Sequence, residues 1–412
     1  MTIPAPKLSG PAAIAFSGGG DSTAMIYAFR NHPKVTHAFI IDHALRDGSA
    51  EEAAETALFA RSLGYEVQID RWQNDGPKTG IQVKARAYRY KALGEMCRAA
   101  GLENLITAHT ADDQAETLLM RLDRQTGWRG LAGMPDRSYG ALWPALADVT
   151  LHRPWLSVSR ADIRDYNREQ RLDFVDDPSN ENSDFTRIKV RQALSADNDL
   201  RKDLLQTQKH ERRRLLEERA RHAAWLSQHA VISDQNYVEI NAVPEPEVLL
   251  HILRSVAGTG GPIDRARRVN LAKRLTHRDF QAATLAGAWV VKRPNGFLFT
   301  RDKVAVSGRD THSALGERYV SQHETAIWDG RFIIQMKSKG VWIEPAFGNG
   351  YNIRQSIEKD KFLGCPEQVR PSLPLFTMGS EALGLGACST DKLISRATAA
   401  RRLQSLFPPQ TV

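Results

Sequence analysis

Apolar and polar positions in the first half of the chain follow a repeating beat. Ala13-Ile14-Ala15-Phe16, Thr36-His37-Ala38-Phe39-Ile40-Ile41 and Leu105-Ile106-Thr107-Ala108 are short apolar runs of the length of buried strands. Tyr65-Glu66-Val67-Gln68-Ile69 alternates as a strand with one wet face does. Between these runs lie stretches with helical spacing, residues 24–30 and 50–63, the second stopped by Gly64. A polar loop at 75–80 leads into a basic helix, and another helix opens near Thr110 and runs to Arg124. Such strand–helix alternation predicts an α/β fold with a doubly wound parallel sheet.

Farther on the pattern changes. A helix capped from Ser157 or Ser159 runs to about Arg171, and a strongly charged helical stretch continues to about His229. Residues 249–256 read as helix, and 284–291 pair with 297–300 across Pro294-Asn295-Gly296, a hairpin turn signal. Beyond Glu317, short runs such as Phe332-Ile333-Ile334 alternate with Gly and Pro breaks. Three domains are therefore expected: a doubly wound domain over 1–200, a mainly helical, basic middle domain over 201–305 ending in the hairpin, and a small β-rich domain over 306–412.

The first candidate chemistry lies in the turn after the first strand, Ser17-Gly18-Gly19-Gly20-Asp21-Ser22-Thr23. Successive glycines let a backbone approach a ligand closely, and the amides and dipole of the helix that follows favour an anion. Ser17, Asp21, Ser22 and Thr23 are suited to satisfy that helix's orphan amides. A Walker A loop is excluded because Asp21-Ser22 stands where Gly-Lys-Ser/Thr is needed. A dinucleotide loop lacks its third glycine, which is Thr23 here, although Asp42 lies near the distance of a ribose-binding acid. A Gly/Ser turn holding no ligand is the remaining reading. An aspartate beside phosphates is reasonable when Mg²⁺ lies between them.

Ligands of doubly wound sheets sit beyond the carboxyl ends of strands. Two further stretches fall there: Asp42-His43-Ala44-Leu45-Arg46, and His109-Thr110-Ala111-Asp112-Asp113-Gln114-Ala115-Glu116-Thr117. Asp113 and Glu116 lie at i and i+3 on one helix face. Acids in a first helical turn commonly act as caps, which is one reading of Asp112. Two carboxylates with the imidazole of His109 also suit a cationic amine, a metal or acid–base work. Arg86 and Arg89 share a face of the basic helix, with a solvated surface as the plain alternative to phosphate binding. Gly127 to Pro135 reads as a mobile loop in which Trp128 and Arg129 offer stacking surfaces.

Composition narrows the partners. The 412 residues hold 56 Lys and Arg against 48 Asp and Glu, a formal charge of +8, which favours a polyanion. With 42% hydrophobic residues, no run of membrane-spanning length and no charged-then-apolar leader, a cytoplasmic protein with no membrane partner is expected. Cys97, Cys365 and Cys388 form no C-x-x-C pair, which argues against a disulfide framework, a zinc ribbon or an iron–sulfur cluster.

Taken together, the first ~190 positions resemble the tRNA(Ile)-lysidine synthetases, a family of PP-loop (N-type) ATP pyrophosphatases. The resemblance rests on Ser17 to Ser22, Asp42-His43-Ala44-Leu45-Arg46, Ala85-Arg86-Ala87-Tyr88-Arg89-Tyr90, the acidic helix start at His109, Arg153-Pro154, and Asp177-Pro178-Ser179-Asn180 with Arg187 and Arg191. Three departures stand out: Thr110 replaces a second histidine, Gln125-Thr126 a Gly-Ser loop, and Ile188 an asparagine. The resemblance implies ligation of free L-lysine to C2 of the wobble cytidine in the CAU anticodon of tRNA(Ile), through an adenylated base. It implies ATP contacts from Ser17, Gly18, Gly19, Gly20, Asp21, Ser22, His43 and Arg46, with Mg²⁺ on Asp21. It further implies lysine binding by Asp113 and Glu116, catalytic roles for Asp21, Arg89, His109, Asp113, Glu116 and Arg187, and tRNA contacts from Arg86, Arg129 and Arg191. A second copy of the chain is a candidate partner. The rival readings are a PP-loop tRNA thiolase, which commonly needs reactive cysteines, a PP-loop amidotransferase, and a nucleotide-binding regulator that catalyses nothing.

Overall fold

In the computed structural model, residues 4–73, 80–174, 185–307, 315–338, 340–346, 365–378, 381–404 and 406 are described. The chain forms two compact units, Met1–Glu217 and Glu218–Val412. Among the described residues no helix is long and apolar enough to cross a membrane.

Six strands build the sheet of the first unit: β1 (Ala12–Ala15), β2 (Val35–Asp42), β3 (Glu66–Arg71), β4 (Asn104–Ile106), β5 (Arg137–Tyr139) and β6 (Thr150–His152). Their order is β3-β2-β1-β4-β6-β5, all pairs being parallel except β5 with β6. Strand order reverses between β1 and β4, so the crevice for a ligand opens beyond Ala15 and Ile106.

Side-chain alternation explains why helices cover both faces. Ala12, Ile14, Ala38 and Ile40 pack into one core with α1 (Gly20–Ala28), α2 (Ser49–Ser62) and α6 (Arg160–Gln170). Ala13, Ala15 and Phe39 point the other way, onto Tyr90, Leu93, Met96 and Cys97 of α3 (Ile81–Ala99). Each fully buried side chain such as Ile14 or Leu93 contributes about 1.5–3 kcal/mol. The helix α4 (Ala111–Asp123) packs Ala115 and Leu118 on Leu194 and Leu204, which belong to α7 (Phe185–Ala196) and α8 (Asn198–His229).

The stretch from Gly127 differs from its sequence reading. Trp128–Leu131 is a helical turn, α5. Its surroundings are pinned: Gln114 exchanges two hydrogen bonds with the Met134 backbone (2.9 and 2.7 Å), Gln208 Nε2 donates to Ala132 O (3.0 Å), and Arg121 Nη1 donates to Gly130 O (2.6 Å). Partners remote in sequence satisfy the carbonyls that a glycine-rich segment would otherwise offer to water.

In the second unit, the hairpin arrives with one more strand than the sequence suggested. β7 (Ala282–Leu285) turns at Ala286-Gly287, both at positive φ, into β8 (Ala288–Arg293), which pairs with β9 (Gly296–Arg301) from Arg293↔Gly296 onward. The 284–291 run is largely apolar with Gly287 its one turn residue, and the left-handed backbone at Ala286-Gly287 makes the break. Two four-stranded sheets follow in the C-terminal part. The core around Leu249, Ile252 and Phe299 also takes Leu403 and Leu406 from the end of the chain.

Candidate active site

After β1 the backbone turns through Phe16 to Gly19, and α1 begins at Gly20. Gly18 has φ +76°, and a Cβ there would lie 2.7 Å from Thr56 Oγ1. Conformation and space both demand glycine. Gly18→Ala is expected to lower stability by about 1–2 kcal/mol and to weaken ATP binding, read as a drop in melting temperature and in nucleotide titration. Ser22 Oγ donates to Gly19 O (2.9 Å) and accepts from the Ser17 amide (3.3 Å), while Thr23 Oγ1 donates to Gly18 O (3.1 Å). Asn167 of α6 clamps the loop from outside, donating to Gly20 O at 3.0 Å.

One expectation is corrected here. The sequence reading gave the first-turn amides of α1 to neighbouring hydroxyl and carboxyl groups. Instead the Ser22 and Thr23 hydroxyls brace the loop on itself, the N-cap is Gly19, and no side chain caps the helix. That leaves the helix start to an anion. The dinucleotide reading loses its acid as well: Asp42 is buried, accepting from the Ala44 amide (2.8 Å) and lying 3.4 Å from Arg71 Nε.

β4 delivers the acidic cluster to the same place. Thr110 is the N-cap of α4 and forms a capping box with Asp113, whose Oδ2 accepts from the Thr110 amide (2.8 Å) and hydroxyl (2.9 Å). This explains why threonine serves at position 110. The other oxygen, Asp113 Oδ1, meets Arg160 Nη2 at 3.0 Å. Arg160 Nη1 reaches Glu116 Oε1 at 3.3 Å, and its Nε lies 3.5 Å from Asp21 Oδ2. A single guanidinium thus joins the loop aspartate to Asp113 and Glu116 of α4. Arg191 Nε also meets Glu116 Oε1 (2.8 Å), and Asp112 holds Arg201 Nη1 (3.0 Å) and the Arg160 amide (2.7 Å).

These charges perturb one another. Burial pushes the Asp21 carboxyl up to about 6; Arg160 opposes this, and Asp113 and Asp112 add to it. For Arg160, burial weighs against the charge, yet Asp113, Asp21, Glu116 and Asp112 together raise its proton affinity. His109, hydrogen-bonded through Nδ1 to Thr107 Oγ1 (2.9 Å), is driven well below its ordinary value by burial and by Arg153, Arg89 and Arg86, against the pull of Asp113. Burial and then Arg89 lower His43 too. The Arg89 charge therefore acts at the ends of both β2 and β4, the strands flanking β1.

The remaining predicted residues divide. His43 packs edge-on against Trp72, with ring centroids 6.3 Å apart. Arg46 pairs with Glu52 (2.6 Å). Arg86 lies over the Tyr90 ring, 5.1 Å from its centroid. Arg129 and Arg214 both lie over Trp128, at 4.6 and 4.0 Å. The side chain of Arg187 and the Asp177-Pro178-Ser179-Asn180 turn lie outside the described residues. Among the described residues no cluster of three or more His, Cys, Asp or Glu is arranged to hold a metal ion. Asp21 at the loop is the carboxylate that would hold a Mg²⁺, whose charge would offset that of bound phosphates. Cys97 lies on the core face of α3, and burial raises its pKa to about 12, so it is held as an inert thiol.

Residues 5–197 match the PP-loop domain family ATP_bind_3. The chain is similar to a tRNA(Ile)-lysidine synthase of Ruegeria pomeroyi, 32% identical over 78% of this chain and 76% of the relative, and to one of Anaplasma marginale, 30% identical over 80% and 72%. The chain belongs to the tRNA(Ile)-lysidine synthase family. A further synthase, from Hyphomonas neptunium, is 38% identical over 47% of this chain, and the match spans about half (53%) of that relative's length.

Within this cluster, sequence reasoning missed Arg160, Asn167 and Arg201. A signal for Arg160 existed. It is the first residue of α6, a few positions past the end of β6, and β6 runs parallel to β4, so its carboxyl end faces the same crevice. Asn167 and Arg201 left no comparable mark.

Proposed function

We propose that this chain joins free L-lysine to C2 of the wobble cytidine in the CAU anticodon of tRNA(Ile), using one ATP and Mg²⁺. The observation that carries the reading is the Arg160 bridge, which puts Asp21 of the phosphate loop within one guanidinium of Asp113 and Glu116. A site for ATP and a site for a cationic amine are then one pocket.

Two displacements follow. The cytidine O2 attacks the α-phosphate, an O–P bond forms, and the bond to the β-phosphate breaks, releasing pyrophosphate. The lysine ε-nitrogen then attacks C2, the C–O bond to the adenylyl group breaks, and AMP leaves. The open amides of α1 seat the phosphates, and Arg89 faces the charge that grows there. Asp21 would hold a magnesium ion, which would supply further neutralisation of the leaving pyrophosphate. The amine has an ordinary pKa of about 10.4 and arrives as ammonium, which needs a carboxylate partner before it loses its proton. Asp113 is the reachable one: its side chain is 20% exposed, against 3% for Glu116, which lies behind it on two arginines. His109, held neutral, contributes hydrogen bonding without adding charge. The target base must leave its stack to enter, and Trp128 between its two arginines is a platform for a neighbouring base.

The test is direct. Purified protein with ATP, Mg²⁺, radiolabelled lysine and a CAU-anticodon tRNA is expected to release AMP and label the RNA in equal amounts. AMP release without label, or incorporation of sulfur from a sulfide donor, would refute the assignment.

A further inference from the structure

Arg160 occupies the ground that the substrate's ammonium needs. Its Nη2 holds Asp113 Oδ1 at 3.0 Å, the one Asp113 oxygen that the capping box leaves to other partners. Its backbone is anchored: the Arg160 amide donates to Asp112 Oδ2 (2.7 Å), and Ser159 caps α6 in a capping box with Asp162. Only the side chain is free to change partners. Of its three carboxylate contacts, the one to the phosphate loop is the longest, at 3.5 Å from Asp21.

We propose that Arg160 is a resident cation that fills the amine subsite until nucleotide binds, and so makes lysine binding depend on ATP. This rests on the function proposed above. When a nucleotide and its metal engage Asp21, that carboxylate is withdrawn from Arg160 and positive charge is placed beside the guanidinium. The guanidinium then holds the cluster less tightly, and an ammonium can take its place on Asp113. Arg160 is a positioning residue in this scheme: it does not touch the reacting atoms, and it sets the order in which substrates enter. Linkage requires the effect to be reciprocal, so lysine tightens nucleotide binding by the same factor.

The experiment is equilibrium binding of radiolabelled lysine to the full chain, with and without a non-hydrolysable α,β-methylene ATP analogue and Mg²⁺. In the unsubstituted protein the analogue is expected to tighten lysine binding about tenfold. In Arg160→Ala, lysine is expected to bind without nucleotide, and the analogue is expected to change its affinity less than about twofold. Analogue binding by the variant, measured separately, reports that its loop is folded. If Arg160→Ala does not fold, Arg160→Met, which keeps the stem and removes the charge, decides in its place. A purely structural role for Arg160 would weaken lysine binding and leave the tenfold ratio standing, which would overturn the proposal. Equal lysine affinity with and without analogue in the unsubstituted protein would overturn it as well, while leaving the proposed function intact if lysine is still transferred to tRNA. Failure to bind or transfer lysine under any condition would instead remove the underlying function.

Discussion

In the Asp113→Asn protein, lysine transfer to tRNA falls at least about a hundredfold while ATP-dependent adenylation of the RNA continues. The argument is one of charge at a single oxygen. Asp113 Oδ1 faces Arg160 and the pocket, whereas Oδ2 is spent on the Thr110 cap. Removing one partner of a largely buried ion pair costs about 3–5 kcal/mol, enough for a loss of that size. Asparagine keeps an oxygen for the Thr110 amide, so α4 retains its start. Alanine would lose the cap too, at about 1 kcal/mol, and would confuse folding with binding. Single-turnover reactions separate the steps: pyrophosphate release reports adenylation, and label from lysine reports transfer. Lysine transfer at the unsubstituted rate would refute the placement of the ammonium on Asp113.

Asp21→Asn is expected to make the ligand-free protein more stable and adenylation at least about a hundredfold slower. Burial raises the Asp21 carboxyl to about 6, and Arg160 only partly offsets this. A folded-state value above the unfolded one means the folded protein binds the extra proton between about 4 and about 6, so stability falls as pH rises through that window. Above it the ionised carboxylate costs the fold about 3 kcal/mol, which asparagine avoids. Melting temperatures at pH 8 should therefore favour the variant clearly, and the advantage should shrink toward pH 5 as native Asp21 takes up its proton. An equal advantage at both pH values would show that the carboxylate is not under strain. A destabilised variant would show that the Arg160 contact outweighs burial. On the proposed function, an anion kept where it is poorly solvated would be ready for a cation set between it and the phosphates.

Local signals carried much of the site. The apolar runs Ala13 to Phe16 and Thr36 to Ile41 marked strands buried on both sides, and the structure packs their residues into two cores, one on each face of the sheet. Asp113 and Glu116 share a face because a helix places i and i+3 together. The loop differed in a detail that spacing does not encode. Ser22 and Thr23 were expected to cap α1, yet their hydroxyls turn back to the Gly19 and Gly18 carbonyls, since a left-handed Gly18 brings those oxygens within reach. The segment from Gly127 to Pro135 misled for a similar reason. Its composition suggests mobility, and the side chains that pin it, Gln114 and Gln208, come from α4 and α8.

From the sequence alone came the parallel α/β architecture, the glycine turn with its aspartate, and the acids and histidines set at strand ends. Each of these depends on residues within a turn or two of one another, where backbone geometry links spacing to position. Only the tertiary structure decided which cation neutralises which acid. Arg160, Arg191 and Arg201 reach Asp21, Asp112, Asp113 and Glu116 from α6, α7 and α8, elements brought together by the burial of apolar faces that say nothing of the charges at their ends. Which charges meet depends on which elements pack together, and a charge on a helix end does not specify that by itself.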